Sequence, residues 1–218
     1  MSEKINKANS LMGIIRRTFD HMDEQCFSTI FKSLIRPHIE YANQIWSPHL
    51  KKHVTSLENV QRRATKLIPG FKDIEYKERL RKLKLPTLAY RRLRGDMIEL
   101  YKILTGKYDA AVSSNFVKLR DNVSDTRGHH LKIFKERCRL NIKNSFIHRC
   151  TDIWNSLPQS VVGAPSVQSF ERKIDKLWQN HPIKLDYTAP PLSWKPSDAC
   201  AQSELTVNAR AGIRGSTA

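Results

Sequence analysis

Clusters of arginine and lysine are the residues of this sequence whose type and spacing could do chemistry. A guanidinium group presents a fork of N–H donors that matches two oxygens of a phosphate, so clustered arginines favour phosphate binding. We predict contacts to a nucleic-acid backbone from three such clusters: Arg16 and Arg17; Arg62, Arg63 and Lys66; and Arg91, Arg92 and Arg94. No pattern in the sequence indicates that these residues read specific bases.

The distribution of charge supports a polyanionic partner. The chain has 38 Lys and Arg against 21 Asp and Glu, a formal net charge of +17. Residues 61–150 hold 23 basic and 9 acidic residues, a net +14, whereas residues 1–60 carry +2 and residues 151–218 carry +1. Charge concentrated in one stretch is typical of a surface that neutralises phosphates and releases their counterions. An acidic protein partner, an anionic membrane surface and a merely solvated face remain alternatives.

Motifs for catalysis are missing from the sequence. It has no adjacent Asp-Asp pair or carboxylate cluster of the kind that holds Mg²⁺ in polymerases, and no GxxxxGK[ST] loop for nucleotide phosphates. The hydrolase motifs GxSxG and HExxH are also missing. We therefore expect no catalytic residues and no cofactor in this chain.

Five histidines and cysteines are the candidates for a metal site, but their spacing matches no zinc-binding pattern. We therefore expect no metal site, and we expect Cys150 to lie in the core. The five residues are His129, His130, Cys138, His148 and Cys150. Three tryptophans end or interrupt amphipathic segments, so we expect them to pack in the core rather than stack on bases: Trp46, Trp154 and Trp178.

Targeting signals are also missing from the sequence. No run of about 18 apolar residues could span a membrane. The first ten residues, MSEKINKANS, lack the apolar stretch of a secretory signal. We expect a nuclear or cytoplasmic protein that is not secreted and has no membrane partner, and the oligomeric state is left open.

The elements that must position the basic clusters are helices. Apolar residues recur at intervals of three and four, and proline, glycine and capping residues mark the ends. The predicted helical segments are 3–19, 27–35, 38–46, a segment after a Thr55–Glu58 capping box that ends before Pro69, 87–104, 144–157 and 166–178. Arg36–Pro37 is expected to interrupt the helix between the second and third predicted segments. Short extended pieces are expected near 130–134 and 139–142.

The predicted fold is mainly α: a helical, thumb-like bundle, then a smaller helical C-terminal region with short extended segments, then a disordered tail. The expected divisions are residues 1–48 for the bundle, 49–106 for a basic helical extension, 107–181 for the C-terminal region and 182–218 for the tail. The tail is expected to lack a core because it is rich in Pro, Ser, Thr and Ala.

Six strings in collinear order resemble the C-terminal part of reverse transcriptases (RNA-directed DNA polymerases) from non-LTR retrotransposons of the jockey-like kind. They span nearly all of residues 3–178: LMGIIRRTF (11–19), LIRPHIEYANQIWSPHLKK (34–52), LENVQRRATKLIPG (57–70), ERLRKLKLPTLAYRRLRGDMIELYKIL (78–104), RGHHLKIFKERCRLN (127–141) and WNSLPQSVVGAPSVQSFERKIDKLW (154–178).

This resemblance implies that residues 3–46 are similar to the thumb, which grips the primer-template duplex, and that residues 57–104 are a thumb extension or linker. It also implies that the family's polymerase palm, with its paired aspartates and Mg²⁺, and its endonuclease would precede residue 1. We therefore expect a chain that binds RNA, DNA or an RNA–DNA hybrid and does not polymerise by itself. The alternatives are a co-opted helical interaction protein with an acidic partner, and a truncated gene product that does not fold alone.

Overall fold

A computed structural model of the chain describes residues 1–109, 117–120, 128–137, 142 and 144–189. The prediction of a mainly helical fold is confirmed. The described α-helices, in chain order, are α1 (Ser2–Thr18), α2 (Glu24–Ile30), α3 (Arg36–Glu40), α4 (Asn43–Trp46), α5 (Lys51–Ala64), α6 (Tyr76–Lys82), α7 (Leu88–Leu104), α8 (Phe146–Ser156), α9 (Gln159–Val162) and α10 (Val167–Leu177). A π-helical turn spans Phe31–Ile35, and two 3₁₀ turns span Thr65–Leu67 and Pro182–Lys184.

The first hydrophobic core lies between α1, the α2–α3 segment, α5 and α6. Ala8, Phe31 and Leu57 are fully buried there, and Phe27 stacks on Phe31 with ring centroids 5.6 Å apart. Because this core runs from Ala8 to Leu88, the thumb-like helices and most of the basic extension pack together. The expected division at residues 48 and 49 is untested and stays a prediction.

The second core lies between α7, α8 and α10. Trp154, Phe170 and Ile174 are fully buried in it, and Tyr101 stacks on Phe170 with ring centroids 4.3 Å apart. Trp178 is also buried, so two of the three tryptophans expected in the core lie there. Trp46 is half-buried and packs against the first core. Helix α7 begins in the first core at Leu88 and continues into the second, so it is the element that joins them.

The expected interruption at Arg36–Pro37 is wrong. The chain runs helically through that point, because the N–H of Arg36 bonds to the carbonyl of Phe31, five residues back, in the π-helical turn. A π turn widens the helix locally, and Pro37 then falls in the first turn of α3, where proline needs no N–H donor. The chain turns instead at Ala42, whose φ of 54° is left-handed.

The Thr55–Glu58 capping box is also wrong. Helix α5 already begins at Lys51, so both residues lie inside it. Glu58 is 0% exposed and accepts hydrogen bonds from the hydroxyl of Tyr76 at 2.6 Å and from the N–H of Leu88 at 3.1 Å. This carboxylate therefore binds the N-terminus of α7, beside the Thr87 cap, where negative charge is favoured.

Part of the predicted tail packs against both cores. Thr87 donates from its hydroxyl to the carbonyl of Ile183 at 2.5 Å and from its N–H to the carbonyl of Lys184 at 2.9 Å. Ile183 is 6% exposed. Residues 182–189 thus close over the start of α7 and correct the expected tail boundary, because one buried isoleucine and two hydrogen bonds hold them. Residues 190–218 lie outside the described part of the chain.

One of the two expected extended pieces is visible. Leu119 and Ile133 form an isolated antiparallel bridge, with Arg120 N–H donating to the Lys132 carbonyl at 2.8 Å and Phe134 N–H donating to the Lys118 carbonyl at 2.9 Å. Ile133 is 2% exposed and belongs to the second core. Most of the other piece, 139–142, lies outside the described residues.

Candidate nucleic-acid interface

Helix α1 and the end of α5 form the two walls of an open groove. In α5, Leu57, Val60 and Ala64 face the core. Arg63 and Lys66, three positions apart, share an exposed face, since helical residues at that spacing are neighbours. In α1, Met12 and Ile15 are buried, which leaves the neighbouring Arg16 exposed.

The groove between these walls has a volume of about 810 Å³. It brings together three of the predicted phosphate contacts, Arg16, Arg63 and Lys66, and adds Lys72 from the following loop. Among the residues that the structure describes, Asp73 is the one carboxylate that lines it. All four cations are exposed, and none of them forms an ion pair with the described part of the chain.

A groove lined by four cations and one carboxylate is strongly cationic. Exposed, unpaired cations keep their hydration until a phosphate displaces it, so they remain free to bind a backbone. Gly13 lies on the α1 wall, and a Cβ atom added there would meet nothing within 4 Å. The groove therefore has room at that position.

The other predicted residues outside α7 lie in different surroundings. Arg17 is exposed at the end of α1 but does not line the groove. Arg62 is half-buried, and its guanidinium lies 5.1 Å from the ring centroid of Tyr76 and 5.8 Å from that of Tyr187. These cation–π contacts give Arg62 a packing role that ties residue 187 to α5.

Two arginines of α7 are engaged in ion pairs within the fold. Arg91 donates two hydrogen bonds to the carboxylate of Glu40, at 2.5 and 2.9 Å. Arg94 donates two to Asp175, at 2.6 and 2.8 Å, and these bonds raise the pKa of Arg94. Both arginines therefore link α7 to other helices, and a phosphate would have to compete with a bidentate carboxylate.

Arg92, the third candidate on α7, is only 7% exposed. Arg92 is predicted from the sequence to contact a phosphate backbone, but the structure places it toward the protein interior rather than on the exposed surface. Burial lowers the pKa of its guanidinium, and the carboxylates of Glu58, Asp96 and Glu40 oppose that shift. The spacing of apolar residues along α7 could not reveal the burial of Arg92. Other helices, α3, α4 and α5, pack against the polar side of α7, and those contacts are not visible in the sequence of α7 itself.

Sequence reasoning missed Lys72 and the structural role of Arg79. Lys72 follows the turn at Gly70, whose φ of 80° needs glycine. The Pro69–Gly70 pair was the signal that the chain would turn back there. Arg79 is 2% exposed and donates to the carbonyl of Arg62 at 3.0 Å and the hydroxyl of Thr65 at 2.9 Å. It thereby satisfies the C-terminal end of α5, where cations are favourable.

Two of the histidines and cysteines considered for a metal are buried in the second half of the fold. His129 is buried and its Nε2 lies 3.0 Å from the Trp154 carbonyl, and burial lowers its pKa. Cys150 is 1% exposed in the second core, as expected, and burial raises the pKa of its thiol. Among the described residues no group of three or more His, Cys, Asp or Glu could hold a metal ion, and Cys138 lies outside them.

Comparisons with known family models, with curated proteins and with solved structures find no match for this chain. In the part of the chain that the structure describes, no helix combines the length and apolarity needed to cross a membrane.

Proposed function

We propose that the groove between α1 and the end of α5 binds the phosphate backbone of RNA, DNA or an RNA–DNA hybrid without reading its sequence. The observation that supports this most is the convergence of Arg16, Arg63 and Lys66. Arg16 comes from α1, and Arg63 and Lys66 come from the end of α5 and the 3₁₀ turn that follows it. All three surround one groove and form no ion pair among the described residues.

Non-specific backbone binding fits the chemistry of this groove. Phosphate contacts need cations and flexible side chains, whereas base reading needs precisely held donors and acceptors. The groove offers mainly flexible cations, and Lys72 and Lys66 act as point charges that tolerate many phosphate positions.

We further propose that the chain corresponds to the thumb and post-thumb part of a jockey-like non-LTR retrotransposon reverse transcriptase. Two things support the proposal: the six collinear strings, and a helical fold with a cationic groove and no paired-aspartate motif in the sequence. In this assignment the chain holds nucleic acid beside a polymerase centre that its own residues do not supply. We expect no DNA synthesis from the chain alone.

The test uses two substitutions of Gly13 that differ only in charge. Gly13→Glu places a carboxylate on the groove wall without a steric clash, and Gly13→Gln is its neutral control. Both side chains favour a helix more than glycine does, so both variants should fold. Affinity for a fluorescein-labelled RNA–DNA duplex is measured by fluorescence anisotropy at low salt.

Gly13→Glu should weaken binding by about fivefold relative to Gly13→Gln, equivalent to ~1 kcal/mol for unit charges about 4 Å apart in water. Equal affinities of the two variants would place the binding surface elsewhere. Negligible duplex binding by the unmodified chain would favour an acidic protein partner instead.

A further inference from the structure

A second cavity, which shares no lining residue with the groove, lies between α7, α8 and the segment after α10. Its volume is about 580 Å³, within the range of about 300 to 1,000 Å³ that is typical of small-molecule sites. Its wall is mostly apolar, with side chains from five parts of the chain: Val54, Ala89, Leu93, Ile153, Ile183 and Tyr187.

Arg92 lines this cavity and is the unusual feature of it. The residue is 7% exposed, yet its guanidinium forms no ion pair or hydrogen bond with any described residue. A buried arginine is normally paired, because removing its charge from water is costly. Its five N–H donors are available to a group that enters the cavity.

The carboxylates nearest to Arg92 are all committed to other donors. Asp96 accepts from Arg149 and Asn43. Glu58 accepts from Tyr76 and Leu88, and Glu40 accepts from Arg91. These acids lower the cost of burying Arg92 through space, but they do not occupy its donors.

The charged residues that line the cavity are balanced, with Arg92 and Arg149 against Asp96 and Asp152, and the residues behind its wall add further ion pairs. Arg36, Arg91, Arg92 and Arg149 face the three acids Glu40, Glu58 and Asp96. This leaves one positive charge in excess when all are ionised. Among the other described residues that line the cavity, Asp152 is charged and is paired with Lys135 at 2.7 Å. Arg36 and Arg91 share Glu40, so this excess is not specific to Arg92; what distinguishes Arg92 is that its N–H donors have no hydrogen-bond partner among the described residues.

We propose that this cavity binds a small organic anion, with a carboxylate or phosphate on Arg92 and an apolar or aromatic body against Leu93 and Ile153. A planar anion can accept two parallel N–H bonds from the guanidinium, which gives both affinity and orientation. The apolar wall then recovers the hydrophobic surface of the ligand's body. This site is separate from the groove and does not depend on nucleic-acid binding.

The experiment titrates the full chain with phenyl phosphate, benzoate and neutral phenol by isothermal titration calorimetry. Phenyl phosphate or benzoate should bind saturably, and phenol at least about tenfold more weakly, because only the anions form charge-assisted bonds. Two variants locate the site: Arg92→Gln removes the donor charge, and Ala89→Leu fills the cavity while keeping the charge. Each should weaken anion binding at least about tenfold, with folding checked by thermal unfolding.

The control is Arg63→Gln with Lys66→Gln, which removes two cations from the groove and leaves the cavity intact. Binding of the anions should be unchanged in this control. The proposal is overturned if neither anion binds saturably to the unmodified chain, if Ala89→Leu binds them as well as the unmodified chain, or if the groove variant loses binding as strongly as Ala89→Leu. Ala89→Leu keeps the proposal testable even where Arg92→Gln fails to fold.

Discussion

Replacing Asp96 by Asn should destabilise the protein strongly, because Asp96 is the buried carboxylate at the junction of α4, α7 and α8. Its side chain is 4% exposed, and it accepts two hydrogen bonds from Arg149 at 3.0 Å and one from Asn43 at 3.2 Å. Removing the charge leaves Arg149 and the buried Arg92 without their shared counter-charge.

The expected magnitude follows from burial. Removing one partner of a buried ion pair costs about 3–5 kcal/mol. Because the Arg149 side chain is 20% exposed and can regain some water, we expect the lower end, ~3 kcal/mol. For a domain of this size that corresponds to a fall in Tm of about 6–12 °C. The free energy of unfolding is measured by urea denaturation, followed by far-ultraviolet circular dichroism.

The matched control is Asp175→Asn, which removes the partner of Arg94 on the surface. That pair has side-chain exposures of 24% and 47%, so its loss should cost only about 0.5 kcal/mol. The double variant Asp96→Leu with Arg149→Met should recover part of the stability lost in Asp96→Asn, since it leaves one fewer unpaired buried charge. If Asp96→Asn and Asp175→Asn cost the same, the assignment of Asp96 as a buried counter-charge is refuted.

Three further predictions concern buried polar groups. Burial raises the pKa of Glu58 above 4.5, so the folded state binds the Glu58 proton more tightly than the unfolded state does. The free energy of unfolding of the unmodified chain, minus that of Glu58→Gln, should therefore fall as pH rises from 4.5 through the raised pKa. A difference that stays constant with pH would contradict this prediction. Thr87→Ala removes the cap of α7 and the hydrogen bond to the Ile183 carbonyl. The free energy of unfolding should fall by about 1–2 kcal/mol, and proteolysis within residues 182–189 should be faster. Unchanged stability and unchanged cleavage would refute this role of Thr87. Burial raises the pKa of the Cys150 thiol, so this thiol should react slowly in the folded protein. In a variant where Cys138 and Cys200 are replaced by Ser, mass spectrometry should show that a maleimide labels Cys26 in the folded protein and labels Cys150 only after denaturation. Prompt labelling of Cys150 would contradict its burial.

Helical periodicity predicted the main elements well, because each long helix buries one continuous apolar stripe. Helix α7 was expected over 87–104 and lies at Leu88–Leu104, capped by Thr87. Helix α10 was expected over 166–178 and lies at Val167–Leu177, capped by Ser166, whose hydroxyl accepts from the N–H of Ser169. Gly106, with a φ of 66°, follows the end of α7.

Tertiary pairing was what the sequence could not reveal. Arg91 and Arg94 look solvent-facing from α7 alone, yet Glu40 and Asp175 lie far away in the chain and reach them only in the fold. The helix before Pro37 continues because a π turn rearranges its hydrogen bonds, and no local propensity encodes that turn.

Three residues of the candidate groove were predictable from the sequence, but their arrangement was not. Arg16, Arg63 and Lys66 could be chosen because each lies beside a buried stripe on its own helix. That they share one groove, and that Lys72 joins them, depends on how α1 packs on α5. Contacts between elements of this kind are not visible in the spacing of a single segment.

The salt dependence of duplex binding tests the central proposal most directly. The slope of log affinity against log salt concentration is compared for the unmodified chain and two triple variants. The groove variant carries Arg16→Gln, Arg63→Gln and Lys66→Gln. The control variant removes three exposed cations outside the groove and carries Lys51→Gln, Arg172→Gln and Lys176→Gln. The groove variant should lower the magnitude of the slope by about 2 to 3, since each lost phosphate contact removes about 0.7 to 0.9. The control variant should keep the slope of the unmodified chain, and equal slopes for the two triple variants would contradict the account.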